Sequence, residues 1–194
     1  MPEAAIVPLR EIPLAGRTLA MPEGRLAIAP APAASRHVLR CRPDDAARVG
    51  DALGITLPLE ACRSKVSGAT AVLWLGPDEW LLVGHDRAEC IPVAGIAMSL
   101  VDVSHRSVAL AIDGSDAEDV LASDCPLDLC RAAFVPGTCT RTVFGKCEIV
   151  LWRKAADTFW LDVTRSRADY VWRLLEAACA DVADMRGRLG ELGP

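Results

Sequence analysis

The chain has 194 residues, 52% of them hydrophobic and 24% charged, with a formal net charge of −5. That is enough apolar material for one domain of moderate size or two small ones, and too much for disorder over most of the length. The acidic balance argues against a nucleic-acid partner, which would require a basic face.

Residues 1–35 read as an extended arm, because proline recurs at 2, 8, 13, 22, 30 and 32 and the run from Ile28 to Ala34 cannot hold a helix. Such an arm is either a frayed terminus or, given apolar residues such as Ile6, Leu9, Ile12, Leu19 and Leu26, one that orders on a partner. Glu3 stands where a secretory signal would carry basic residues, and Pro8 and Pro13 break the apolar segment, so no signal peptide is expected. The longest apolar run, Ile91 to Val101, is too short for a membrane span and is interrupted by Pro92 and Gly95. A cytoplasmic, non-membrane protein is expected.

From residue 36 to about 190 the pattern is that of a single α+β domain built twice over, with halves of about 36–100 and 101–190. Arg36 to Cys41 is strand-like and leads into Pro43-Asp44-Asp45, a favourable helix start, then Ala46, Val49 and Leu53 at helical spacing. Seventy-one residues on (110 − 39), Leu39, Asp45, Ala46 and Val49 fall on Leu110, Asp116, Ala117 and Val120. Two hairpins follow the same scheme. Val72-Leu73-Trp74 and Trp80-Leu81-Leu82-Val83 return as Val150-Leu151-Trp152 and Trp160-Leu161-Asp162-Val163. Tryptophan on a half-buried pleated surface is a core residue first, which is the reading for Trp74 and Trp152.

Ala88 to Met98 is a weak helical counterpart in the first half, and Met98 to Val103 a strand entering the second. The clearest helix begins near Ser166, a candidate N-cap, with Val171, Leu174, Leu175, Ala178 and Val182 as its apolar stripe. Arg165 and Arg167 at its start oppose the helix dipole, which points to an external acid nearby.

Catalytic signatures are missing. Asp102, Ser104 and His105 are the residue types of a triad, but in a strand Asp102 and Ser104 face away from His105, and Ser104 lacks a glycine-flanked elbow. His105 is therefore read as structural or interfacial, His85-Asp86 as a solvated loop pair, and His37 as a strand-start residue without an acidic neighbour. Gly114-Ser115-Asp116 opens a helix without the further glycines of a dinucleotide loop. Gly137 to Thr142 reads as a turn feeding a strand. The cysteines, at 41, 62, 90, 125, 130, 139, 147 and 179, show no two-residue spacing suited to zinc and read as small buried hydrophobes. A thiol-based metal or redox site using Cys125, Cys130, Cys139 and Cys147 is a minor alternative. No catalytic, cofactor-binding or metal-ligating residue is assigned. Trp80, Arg106 and Arg165, each large or charged beside a turn or element end, are the candidates for a partner-facing surface.

Four stretches in order, LWLGPDEWLLV at 73–83, DVSHR at 102–106, CPLDL at 125–129 and RSRADYVW at 165–172, resemble the gamma subunit of heterotetrameric sarcosine oxidase over about residues 36–180. The resemblance implies a fold like the folate-binding domain of the aminomethyltransferase (glycine cleavage T-protein) superfamily, in which two αβ units exchange strands. It implies a non-catalytic structural subunit beside alpha, beta and delta subunits. Those partners would hold FAD, FMN, NAD, tetrahydrofolate and zinc, and this chain none. The complex would demethylate sarcosine oxidatively to glycine, passing the one-carbon unit to tetrahydrofolate and releasing hydrogen peroxide. The alternative is a stand-alone folate-binding or one-carbon-transfer protein, which requires a deep pocket between the halves with a carboxylate at its floor.

Overall fold

The computed structural model describes residues 13–85 and 95–191. The first part of the chain gives β1 (Leu19–Ala20), β2 (Ala27–Pro30), β3 (Arg36–Cys41), α1 (Ala46–Leu53), β4 (Ser64–Ser67), β5 (Thr70–Gly76) and β6 (Glu79–Val83). The second gives β7 (Met98–Asp102), β8 (Ser107–Asp113), α2 (Ala117–Ala122), β9 (Cys139–Phe144), β10 (Cys147–Ala155), β11 (Thr158–Thr164) and α3 (Ala168–Glu191).

Successive residues of a strand point to opposite faces, and the near-continuous apolar runs of β5, β6, β8 and β11 are buried on both, so each sheet is covered on both sides. One sheet has the order β1-β2-β8-β11-β10-β9, the other β4-β5-β6-β3-β7, and all pairings are antiparallel. Leu110, Ile112, Leu151, Phe159 and Leu161 face α2 and α3. On the other sheet Leu39, Val72, Trp80 and Leu82 face α1 and the segment carrying Ile55 and Leu57. Between the sheets lie Ala71, Leu73, Leu81, Ala109, Cys139, Trp152 and Trp160. The α+β architecture is thus a four-layer sandwich.

The two sheets repeat one strand order, β4-β5-β6-β3 in one and β9-β10-β11-β8 in the other, each completed by a strand from outside that run. β2, which leads into β3, pairs with β8, and β7, which leads into β8, pairs with β3. The 71-residue offset holds at the starts of β2 and β7 (98 − 27), β3 and β8 (107 − 36), and α1 and α2 (117 − 46). Part of the expected arm is therefore a sheet strand. Leu14, Met21, Leu26 and Ile28 are buried in the core over α2 and α3, while residues 1–12 lie outside the described residues. β7, read from sequence as a strand entering the second half, completes the first half's sheet. The weak helix expected at 88–98 falls largely on residues 86–94, also outside the described residues.

Helix ends follow local chemistry. A short 3-10 turn at Pro43–Asp45 leads into α1, and Gly54 ends it at φ 69° with its N–H turned back to the carbonyls of Gly50 and Asp51. A 3-10 turn at Arg165–Arg167 precedes α3; Ser166 lies inside it, exposed, so it is not the N-cap expected from sequence. Ala168, Val171, Leu175, Ala178 and Val182 of α3 are buried at helical spacing.

Both hairpins carry a cross-strand tryptophan pair, Trp74 opposite Trp80 and Trp152 opposite Trp160, each followed by a register shift. The pairs nevertheless lie in different layers. Trp80 is buried on the helix side of its sheet with Trp74 packed beside it, whereas Trp152 and Trp160 lie between the sheets. The cause is register: Leu39 pairs with Trp80, but its 71-offset counterpart Leu110 pairs with Leu161. A slip of one residue moves a side chain to the opposite face.

Two charged groups staple the second half. Arg153 is fully buried, donating to the carbonyls of Leu129 (3.0 Å), Phe134 (2.9 Å), Ala155 and Ala156, and to Glu118 of α2. It ties the hairpin turn to the irregular segment before β9. Asp116, also fully buried, accepts two 2.7 Å hydrogen bonds from Arg25 and one of 3.2 Å from Arg186 of α3. Gly114 has φ 139°, and a side chain there would collide with the Arg25 carbonyl oxygen, so the β1–β2 segment crosses where only glycine fits.

Two outcomes follow for this docking. Ile28→Ala should lower unfolding free energy in a urea titration by about 2–4 kcal/mol, as for a core isoleucine; a solvated arm would give no change. The Arg25 hydrogen bonds, with Arg186 nearby, hold the Asp116 carboxyl below the usual carboxylate range. Its folded pKa is depressed, so its contribution is complete above the unfolded value of about 3.9 and is lost as pH falls through the folded one. Asp116→Asn should be less stable at neutral pH and lose less stability between pH 5 and pH 2, approximately, as followed by circular dichroism melts.

Candidate interaction site

Three connectors meet at one end of the sandwich: residues 31–35 from β2 to β3, residues 103–106 from β7 to β8, and the junction of β11 with α3. The first two cross between the sheets in opposite senses. Backbone bonds lock them, from Ala31 N to Ala109 O (2.9 Å), Gly84 N to Ser35 O (2.9 Å), Val103 N to Arg36 O (2.8 Å) and Arg165 N to Arg106 O (3.0 Å). The Ser104 hydroxyl accepts from Arg36 N at 2.9 Å and donates to Arg36 O at 3.4 Å. Proline and alanine at 31–34 keep this crossover extended and leave its apolar surface uncovered. The result is a cleft of about 440 Å³ with Pro32, Ala34 and Val108 on its walls and Arg36, His105 and Arg165 at its polar side.

Beneath the cleft an ion pair joins the sheets. Arg36 of β3 donates through Nε to Asp162 of β11 at 2.7 Å, and both side chains are buried. Arg36 Nη1 also donates to Ala34 O at 2.9 Å, and the guanidinium lies 5.6 Å from the Trp160 ring centroid. Burial pushes the Asp162 carboxyl above the usual carboxylate range, against the opposing pull of Arg36, the Ser107 hydroxyl and Arg106. On the sheet side, the space around Asp162, Val38 and Leu81 is about 60 Å³, room for about two waters. A carboxylate does stand between the halves, as a folate-binding reading requires. It is engaged by Arg36, however, and the space around it does not admit a ring system, so these residues do not fit a pterin.

The residues expected to face a partner divide. Trp80 is fully buried and its indole N–H donates to Pro58 O at 2.7 Å, so it has no surface to offer. Its size fills the layer under α1; a position beside a turn did not imply exposure. Arg106 is exposed, Arg165 is half-buried, and their backbones are bonded to each other at the cleft. Ser104 is held by the Arg36 backbone, and Asp102 accepts from Ser104 N at 2.8 Å, which with the serine hydroxyl holds its carboxyl below the usual range. These contacts build a turn and leave the hydroxyl unsuited to nucleophilic attack. His85, expected in a solvated loop, is buried, with its ring edge-on to that of His37 at 6.1 Å.

Burial pushes the Cys139 thiol up to about 12 and also raises Cys125 and Cys147, whereas Cys130, expected among the buried cysteines, is exposed. Among the described residues no three histidine, cysteine or acidic side chains gather as a metal site would need. Nor is any helix among them long and apolar enough to cross a membrane. Sequence reading missed Arg36 and Asp162. The available signal was Asp162 itself, a lone acid in Trp160-Leu161-Asp162-Val163 where the first hairpin has Leu82.

A family model described as sarcosine oxidase, gamma subunit family, matches residues 40–181. The sarcosine oxidase subunit gamma of Corynebacterium sp. (strain P-1) is 31% identical over 122 residues, 59% of this chain and 60% of that protein. Its counterpart from Arthrobacter sp. is 32% identical over 123 residues, with the same coverage of 59% and 60%. The match thus spans less than two thirds of the length of these curated relatives. Among solved structures, a chain of the heterotetrameric sarcosine oxidase from Corynebacterium sp. U-96, in complex with pyrrole 2-carboxylate, superposes with a TM-score of 0.73. Its identity is 24%, over 81% of this chain and 85% of that one. Glycine cleavage system aminomethyltransferase T from Bartonella henselae gives 0.56 at 14% identity, over 76% of this chain and 44% of that one. At these identities both structures establish a shared fold alone.

The intersheet pair sets its own test. Removing one partner strands a buried charge and should cost about 3–5 kcal/mol in Arg36→Met or Asp162→Leu, whereas the double replacement should recover most of the loss. Urea unfolding of the three variants measures the coupling; additive losses would show that the pair does not act as a unit.

Proposed function

This chain belongs to the sarcosine oxidase gamma subunit family, and from that membership we propose that it is a non-catalytic structural subunit of a heterotetrameric sarcosine oxidase. The family match over residues 40–181 carries this reading. The shared fold with a chain of a heterotetrameric sarcosine oxidase supports it. The buried Asp162 between the sheets serves structure through its ion pair with Arg36.

In the proposed complex sarcosine is oxidised with loss of its methyl carbon. Glycine, methylene-tetrahydrofolate and hydrogen peroxide are the products when tetrahydrofolate and oxygen are present. FAD, FMN, NAD, tetrahydrofolate and zinc would reside in the alpha, beta and delta partners, and the assembly would be cytoplasmic. This chain's part is to present a preformed surface. The buried ion pair and the Arg153 staple keep that surface rigid, so little ordering entropy is lost on assembly. We read the matching strand order and the 71-residue offset as a duplicated αβ unit with exchanged strands, in one domain over about 36–190 to which β2 is added. The fold shared with an aminomethyltransferase supports the reading of a stand-alone one-carbon-transfer protein, but the occupied Asp162 disfavours it.

The test is an affinity pull-down of the tagged full chain from its native source, with a flavin absorbance spectrum and a sarcosine-dependent peroxide assay on the eluate. Larger chains, flavin and peroxide formation should co-elute, while the purified chain alone shows neither flavin nor activity. A chain that elutes alone and colourless from cells expressing the oxidase would overturn the subunit reading.

A further inference from the structure

We propose that the end of the molecule around Arg106 is a docking surface for an acidic segment of a partner subunit, with an apolar side chain of that segment seated in the Pro32–Val108 cleft. The inference rests on the subunit reading above and says which face is covered, and by what chemistry.

The ion pairs among the described residues leave two exposed arginines together at this end. Although the chain carries a net charge of −5, its arginines elsewhere are mostly neutralised in place. Arg17 and Arg173 meet Asp169, Arg40 meets Asp78, Arg63 meets Glu60, Arg131 meets Asp157, Arg141 meets Glu79, and Arg188 meets Asp184. Arg106 and Arg167 are exposed and take part in no ion pair among the described residues. The fold nevertheless brings them to one place, through the bond from Arg165 N to Arg106 O and the 3-10 turn that carries Arg165 and Arg167. His105 adds an exposed imidazole beside them.

Among the described residues the acids Asp162 and Asp102 at this end are outnumbered by Arg36, Arg106, Arg165 and Arg167. Asp162 is buried and bound to Arg36, with Arg106 beside the same intersheet space. Asp102 is exposed, but its carboxylate is turned to the backbone N–H of Ser104. Positive charge therefore gathers, among the described residues, beside an apolar cleft of about 440 Å³. A segment with carboxylates flanking an apolar residue satisfies both features. Guanidinium groups bind carboxylates in a planar, two-bonded geometry, and complementary charge steers such a segment into register. The two stretches that build this end, DVSHR at 102–106 and RSRADYVW at 165–172, are far apart in sequence and meet only in the fold.

The experiment is reconstitution of the tetramer from full-length subunits with wild-type chain, with Arg106→Glu/Arg167→Glu, with the milder Arg106→Gln/Arg167→Gln, and with Arg42→Glu. Arg42, exposed beyond the far end of β3, serves as the control. Thermal melts of each isolated chain establish that it is folded. Sedimentation velocity at rising salt should show wild-type assembly weakening with salt. The Glu variant should lose about tenfold or more in affinity and most of its salt dependence, with the Gln variant between. Arg42→Glu should assemble as wild type does. Assembly of the folded Glu variant within about twofold of wild type would overturn the docking surface while leaving the subunit reading in place. A wild-type chain that never joins the other subunits overturns both. Unchanged assembly together with loss of glutarate binding by calorimetry would reassign the cleft to a small carboxylate and overturn the proposal.

Discussion

The sandwich depends on a buried charged contact between its sheets, the Arg36–Asp162 pair. Around it the interface is largely apolar, from Leu73 and Leu81 on one side to Trp152 and Trp160 on the other, and the second intersheet ion pair, Arg141–Glu79, is more exposed. Apolar layers attract without direction and tolerate sliding. An ion pair with a 2.7 Å bond does not. Burial alone would destabilise either group, so the pair is retained only where both partners arrive together. That condition fixes β3 against β11, and with them the crossovers at 31–35 and 103–106, whose turns are bonded to the Arg36 backbone. The cleft at that end is a consequence of this constraint.

Most secondary structure was legible from periodicity and punctuation. The proline-led start of α1, both tryptophan hairpins and the long amphipathic helix stand where apolar spacing placed them, because each is set by near neighbours. What failed needed knowledge of contacts distant in sequence. Trp80 looked like a surface residue beside a turn, yet the 54–58 segment folds over it and takes its indole hydrogen. His85 looked solvated, but it packs against His37, which is strand-separated from it. Ser166 looked like a cap, but a 3-10 turn moved the helix start two residues on. The strand β2 was hidden by its prolines; carrying the 71-residue offset back from β7 would have located it at Ala27.

The tryptophan pairs show a subtler limit. Sequence likeness between the hairpins is real at the level of strand, bulge and cross-strand pairing. Layer assignment is a question of parity against the neighbouring strand, and parity differs by one between the halves. The second hairpin spends its tryptophans between the sheets, beside Arg36, and the first spends them under α1. One strand-phase difference thereby put an aromatic face next to the intersheet guanidinium. The site owes its chemistry to that divergence, while the family resemblance rests on the shared pattern of residues.

The crossing of β2 onto β8 and of β7 onto β3 also governs how the chain reaches this state during synthesis. Ile28 is made early, yet its partner Ile112 follows 84 residues later (112 − 28). Until then β2 has no ladder to join, and after β2 is made β3 waits 61 residues for Leu100 to meet Leu39 (100 − 39). Such high contact order slows folding, because loop closure must precede any reward in contacts. The nascent first half therefore leaves the ribosome with open strand edges and an incomplete sheet. Such an edge is a template for pairing with other chains. The five-stranded sheet is complete once β7 has been made, whereas the six-stranded sheet must join β1 and β2 to strands made much later. The domain is therefore completed late, when β8 gives β2 the edge for which it has been waiting.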